Sequence, residues 1–207
     1  MIDKRTDRIE EILLRKQPTL QVMLDGVHSS QNLSAILRTC DGAGVLYFHY
    51  NTQKNQDLRI HKTITQGAHR WVERMRIDHE KRVDFLKEKQ KMGFQVVVTH
   101  LAKNAVSFRE VDYTKPTLVV MGNEKDGVSK EVVDLADEVI IIPMQGMVQS
   151  LNVSVATALI LYEAERQLED AGRYLKPELD NEQRESLRDA WLYRDIIARR
   201  SKGKIPL

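Results

Sequence analysis

Met144-Gln-Gly146-Met-Val-Gln-Ser150-Leu-Asn152-Val-Ser-Val-Ala156-Thr-Ala-Leu-Ile-Leu-Tyr162-Glu163 follows directly on the apolar run Val139-Ile140-Ile141-Ile142-Pro143. The order is that of a buried strand broken by proline, a glycine-containing loop, and a helix starting around Ser150, Leu151 and Asn152. In open α/β sheets, ligands bind beyond the carboxyl ends of strands, where loop backbone still has unused donors and acceptors. The stretch therefore reads as a ligand-site junction or as a tight turn, and the rest of the chain has to decide.

Working outward, short β-branched runs recur between helical patterns. Strands are expected at 20–24, 45–50, 94–98, 117–121 and 139–142, with an alternating edge strand at 71–77. Amphipathic helices are expected at 3–16, after Asn32 with the stripe Leu33, Ile36, Leu37 and Cys40, and at 78–92 with Val83, Phe85 and Leu86 as buried candidates. A short helix is expected within 51–69, and the helix after the opening stretch runs to about Ala171. A last charged helix over 180–200 carries Leu187 and Trp191. Such alternation is the signature of an α/β fold, a parallel sheet covered by helices on both faces.

Composition narrows the function. At 207 residues and 42% hydrophobic, the chain is long enough for one domain with a full core and small additions. Its single cysteine, Cys40, excludes an intrachain disulfide and a cysteine-based metal cluster. The start MIDKRTDRIEEILLRKQ mixes charge signs without an apolar core, and no apolar stretch approaches a membrane span, so a cytoplasmic location is expected. The net charge of +2 is unevenly placed, because Arg194, Arg199, Arg200, Lys202 and Lys204 face only Asp195 near the end. A basic end on a near-neutral body points to a polyanion or to a solvated tail.

Several chemistries fall away at the loops. Gly122 and Gly127 have P-loop spacing, but Val128-Ser129 follow where the phosphate-reaching lysine would stand. Gly42-Ala43-Gly44 follows a helix and precedes a strand, the reverse of a dinucleotide fingerprint. The six histidines show no paired metal-ligand spacing. Ser150 lacks a nucleophile elbow and suits a helix cap or a hydrogen-bonding group.

The remaining strand-end loops resemble one family, the SpoU-type (TrmH-like) branch of the SPOUT RNA methyltransferases. The matching motifs are Asn32-Leu-Ser-Ala-Ile-Leu-Arg38, then Met121-Gly-Asn-Glu124-Lys-Asp-Gly127, then Ile142-Pro-Met-Gln-Gly146-Met147-Val-Gln-Ser150-Leu-Asn152-Val-Ser-Val-Ala156. Similarity to the bacterial members that 2'-O-methylate guanosine 18 of tRNA extends through Arg15-Lys-Gln-Pro18, Thr99-His100-Leu101 and residues 108–116, and fades after about Tyr174.

The resemblance implies a methyltransferase domain over 19–172, its C-terminal chain threaded as a deep trefoil knot, between a helical extension at 1–18 and a basic one at 173–207. It implies S-adenosylmethionine held by Thr99, His100, Leu101, Gly122, Ile142, Met144, Gly146 and Leu151. Arg38, Asn32, Glu124, Ser150 and Asn152 match the family's catalytic positions. Asn32 and Asn152 could instead be helix caps, and Glu124 a surface acid. The implied partners are tRNA, gripped by Arg5, Arg8, Arg15, Arg194, Arg199, Arg200, Lys202 and Lys204, and a second copy of the chain. Ser154, Ala156, Thr157 and Ala158 are the small residues expected to admit the partner's helix. No metal is implied. Ribosomal RNA methylation on the same fold, and RNA binding without catalysis, are the alternatives.

Overall fold

The computed structural model describes residues 2–52, 58–123 and 125–200. Seven strands form one wholly parallel sheet: β1 (Leu20–Leu24), β2 (Tyr47–Tyr50), β3 (Glu73–Arg76), β4 (Gln95–Thr99), β5 (Val106–Ser107), β6 (Thr117–Met121) and β7 (Glu138–Ile141), in spatial order β3-β2-β1-β6-β4-β7-β5. Parallel pairing needs a crossover for each pair, and helices supply most of them. The central runs LQVML and TLVVM are buried along their whole length because both faces are covered.

Strand alternation divides the core in two. Val22, Leu24 and Val119 face α2 (Ser30–Gly42) and α6 (Val153–Asp170), packing with Leu33, Ile36, Leu37, Ile160, Leu161 and Leu168. Met23, Leu118 and Val120 face the other side, with Leu86 of α4 (Arg82–Lys91) and Val132 of α5 (Lys130–Val133). The short helix expected within 51–69 is α3 (Lys62–Thr65). Of the buried candidates on α4, only Leu86 is fully enclosed; Phe85 lies against the His49 ring, centroids 4.7 Å apart.

A third cluster joins the two ends of the chain. α1 (Ile2–Leu13) contributes Ile9 and Leu13, and α7 (Asn181–Arg200) contributes Trp191, with Leu46 and Leu179 between them. Trp191 meets Trp71 edge-on at 5.5 Å and its Nε1 donates to Glu73 Oε1 at 2.8 Å. The helix expected over 3–16 stops at Leu13, because Lys16 turns inward. Its Nζ donates to Asp41 Oδ1 at 2.9 Å and to the Val45 carbonyl at 3.2 Å, 5.8 Å from the Trp191 ring. Burial pushes the Lys16 ammonium below its ordinary pKa, while Asp41 pulls it back.

The edge strand is shorter than the expected 71–77, and Arg74, Met75 and Arg76 are all exposed. Val72 and Ile77 on either side are buried, whereas within the strand only Glu73, held by Trp191 and Arg194 of the last helix, is partly covered, so the alternation in sequence does not become an alternation in burial.

Candidate active site

Register brings the strand ends together. Leu24 pairs with Met121, and Thr99 with Ile140, so the chain leaves β1, β4, β6 and β7 along one edge. Beyond β1, the buried Asp25 carboxylate accepts from Ser129 N at 2.9 Å, Ser129 Oγ at 2.7 Å and Asn51 Nδ2 at 3.0 Å. Asn51 Oδ1 in turn accepts from Gly26 N at 2.8 Å. Arg82 Nε lies 3.8 Å from Asp25 Oδ1, and its guanidinium also pairs with Glu131. One acid thus fixes the loops following β1, β2 and β6.

Gly122 of the middle motif has a steric reason, and Gly127 a conformational one, its φ being +70°. A Cβ on Gly122 would stand 2.1 Å from the Gly127 carbonyl carbon. There the chain folds back on itself: Asn123 and Gly127 exchange backbone hydrogen bonds at 3.1 Å, and Asn123 Oδ1 accepts from Lys125 N and Asp126 N at 2.9 and 2.7 Å. Glu124 lies outside the described residues.

The first and third motifs meet directly. Asn152 caps α6, accepting from Ser154 N at 2.8 Å, and its Nδ2 donates to Asn32 Oδ1 at 3.3 Å. It is a cap and an inter-motif link at once. Asn32 is not a cap, since Ser29 performs that service for α2 by accepting from Asn32 N at 3.2 Å. Further along α2, the exposed Arg38 donates from Nη1 to the Ile64 carbonyl at 3.5 Å. Ser150 is exposed just before α6.

The other candidates line the same edge. Thr99 Oγ1 donates to the Val120 carbonyl at 3.3 Å, and His100 N to the Ile140 carbonyl at 3.2 Å, leaving the His100 side chain exposed. Ile142, Met144 and Leu151 are half-buried, and Gly146 is exposed. Around them Leu101, Met147 and Val148 present apolar side chains that are 68%, 100% and 60% exposed. Among the described residues no group of three or more His, Cys, Asp or Glu is placed to hold a metal ion, and no helix is long and apolar enough to cross a membrane.

The basic residues divide. Arg5 and Arg70 both pair with the buried Asp195 at 3.1 Å, and Arg194 holds Glu73 with two bonds of 2.7 and 2.8 Å. Those guanidiniums brace the α1–α7 unit. Arg8 on α1 and Arg15 just beyond its end both pair with Glu11 and are exposed, Arg199 and Arg200 end α7, and Lys202 and Lys204 lie outside the described residues. Sequence reasoning missed Asp25, Asn51 and Ser129. The signal was present in Asp25 and Asn51, polar residues placed directly after buried strands.

Comparison with known proteins agrees with this geometry. Residues 19–162 match the model of the SpoU rRNA Methylase family. The chain is 48% identical over 202 residues to the tRNA (guanosine(18)-2'-O)-methyltransferase of Aquifex aeolicus, covering 98% of this chain and 95% of the relative. The fold superposes on the crystal structure of the A. aeolicus TrmH/SpoU tRNA modifying enzyme with a TM-score of 0.90 at 49% identity, covering 94% of this chain and 98% of that one. It superposes on an AdoMet-bound rRNA methyltransferase from Sinorhizobium meliloti with a TM-score of 0.65 at 33% identity, covering 74% and 62%. A parallel sheet whose three motif loops meet at one edge, with its sequence matched through all of them, assigns the chain to the SpoU rRNA Methylase family.

Proposed function

We propose that the protein is an S-adenosylmethionine-dependent tRNA methyltransferase that methylates the ribose 2'-hydroxyl of guanosine 18 in the D-loop. The carrying observation is the Asn152–Asn32 bond, which joins two motifs 120 residues apart, Asn32 lying on the helix that also carries the exposed Arg38. Identity to the A. aeolicus enzyme over 98% of the chain supports the substrate.

The residues fit the methyl donor. Gly122 lets the 122–128 backbone fold tightly on itself at the strand end, and Leu101, Met147 and Val148 offer apolar surface for a purine. His100, Gly122, Ile142 and Leu151 would hold it, with Thr99, Met144 and Gly146 shaping the loops. When bound, the donor supplies a methyl group activated on a sulfonium. The chain's own task is to orient the hydroxyl and stabilise its developing charge. Arg38 grips phosphate and the nascent alkoxide through its forked guanidinium donors, and the proton leaves to phosphate or water. Asn32 and Asn152 each donate and accept, which suits them to a ribose hydroxyl; Ser150 and Glu124 complete the set.

The threading of the C-terminal chain as a trefoil knot completed by residues 144–163, the division into 1–18, 19–172 and 173–207, and action in the cytoplasm belong to the same reading. So does a homodimer, supported by different residues than the small ones. Thr157 is buried and Ala156 packs on the core, whereas Val155, Leu159 and Tyr162 leave one apolar stripe of α6 exposed. A monomer of 23.9 kDa in sedimentation, active at micromolar concentration, would remove the dimer.

The test is incubation with labelled donor and an unmodified tRNA transcript, followed by mapping. The expected product is a single 2'-O-methyl at guanosine 18; an unlabelled transcript, or label at another nucleotide, overturns the assignment.

A further inference from the structure

Residues 58–66 run along α2, the helix that carries Asn32 and Arg38. Their placement is fixed by three side chains of α2 spaced four residues apart. Ser30 Oγ accepts from Arg59 N at 3.1 Å, Ser34 Oγ accepts from His61 N at 2.9 Å, and Arg38 Nη1 donates to the Ile64 carbonyl at 3.5 Å. Residues at this spacing share one face of a helix. Ser34 is fully buried and its hydroxyl also donates to the Ser30 carbonyl at 2.7 Å, so the hydroxyl is fully used.

The segment alternates like a strand. Leu58 and Ile60 pack against the main core, while Arg59 and His61 face solvent. Lys62 follows, also exposed. Beyond α3 the far end is held by Thr65 Oγ1 against His69 Nδ1 at 2.7 Å, and Gln66 turns the chain in the left-handed region at φ +50°. Non-glycine residues adopt that conformation only where their surroundings insist on it.

Three exposed donors therefore stand on a backbone that is locked to the catalytic helix. None of Arg59, His61 and Lys62 forms an ion pair with a described residue, in contrast to Arg5 and Arg194, which are neutralised by Asp195 and Glu73. A cation already paired must exchange its carboxylate for a phosphate; an unpaired one on a fixed backbone loses little on binding.

The geometry points to residues 59–62 as a phosphate-binding rail, gripping the RNA backbone next to the nucleotide that Arg38 addresses. This rests on the RNA methyltransferase reading above and assigns to Arg59 and Lys62 the contacts, with His61 as a further donor. Such contacts set register and affinity without reading bases.

The test compares the full chain with Arg59→Ala/Lys62→Ala and with Arg59→Lys by equilibrium binding to an unmodified tRNA transcript across a salt series. Neither side chain supports the core, and donor binding by calorimetry should be unchanged. The double variant is expected to bind about tenfold more weakly at moderate salt and to lose roughly one to two from the log–log salt slope, while Arg59→Lys keeps the slope. An unchanged affinity and slope in the double variant, with the parent protein methylating guanosine 18, overturns the rail alone. A parent protein that neither binds nor methylates tRNA overturns the functional reading and the rail with it.

Discussion

Asn152 Nδ2 donates to Asn32 Oδ1 at 3.3 Å, and the Asn152 Oδ1 accepts from Ser154 N at 2.8 Å. One amide thus serves the start of α6 and the first turn of α2. Asn152→Ala should cost about 0.5–2 kcal/mol of stability through the lost cap as well as methyl transfer. Asn32→Ala, whose side chain caps nothing, should lose transfer with a much smaller change in melting temperature. Thermal melts beside single-turnover rates separate the two; equal destabilisation by both substitutions would contradict the division of labour.

Arg38 is exposed and anchored only at the Ile64 carbonyl among the described residues. Arg38→Ala should lower kcat about 10²–10³-fold, the usual loss when a donor to developing charge is removed. Affinity for the methyl donor should hold. Arg38→Lys, which keeps charge but loses the forked donors, should recover only part of the rate. Full activity in Arg38→Ala would end its catalytic assignment.

His49 lies in β2, its Nε2 2.9 Å from Gln21 Oε1 and its ring against Phe85. Burial, aided by the positive charge of Lys89, holds its pKa down from 6.5 to about 3. The unfolded chain takes up this proton near pH 6.5 and the folded chain only near pH 3. Stability present above pH 6.5 is therefore lost progressively as pH falls through that window. Denaturant titrations of His49→Gln should show a shallower decline than the parent between those limits. A parallel decline would place the acid sensitivity elsewhere.

Trp191 is fully buried, against Trp71 and bonded to Glu73. Trp191→Ala should cost about 3–5 kcal/mol and release α7 before the sheet melts. Limited proteolysis should then cut within 181–200 while the remainder stays folded. Burial pushes the Glu73 carboxyl up, but the bonds from Arg194 and Trp191 and the charges of Arg194 and Arg74 outweigh it and hold it below its ordinary value. α7 docking should accordingly weaken in acid, as Glu73 takes up its proton.

Most of the sheet could be read from the chain, because a strand buried on both faces needs an uninterrupted β-branched run, and Val96-Val97-Val98 or Leu118-Val119-Val120 have no other use. β5 was invisible: two residues carry no period. α5 was equally unreadable, being a single turn set by its neighbours. Of the candidate site, the motif loops were legible as strand ends. The Asn152–Asn32 bond, the Asp25–Ser129 strut and the Arg5–Asp195 pair were not, since each joins residues more than 100 apart whose meeting depends on the completed sheet.

Lys16, Ile9 and Leu13 share their enclosure with Trp191, so α1, made early, is covered only by α7, made much later. During translation the central strands can pair as they emerge, but α1 has to wait for residues 181–200 before its apolar stripe is covered. A nascent chain stalled before Trp191 would carry a formed sheet and an exposed N-terminal helix, a target for chaperones and proteases. Burial of that helix therefore reports that α7 has been made and has docked.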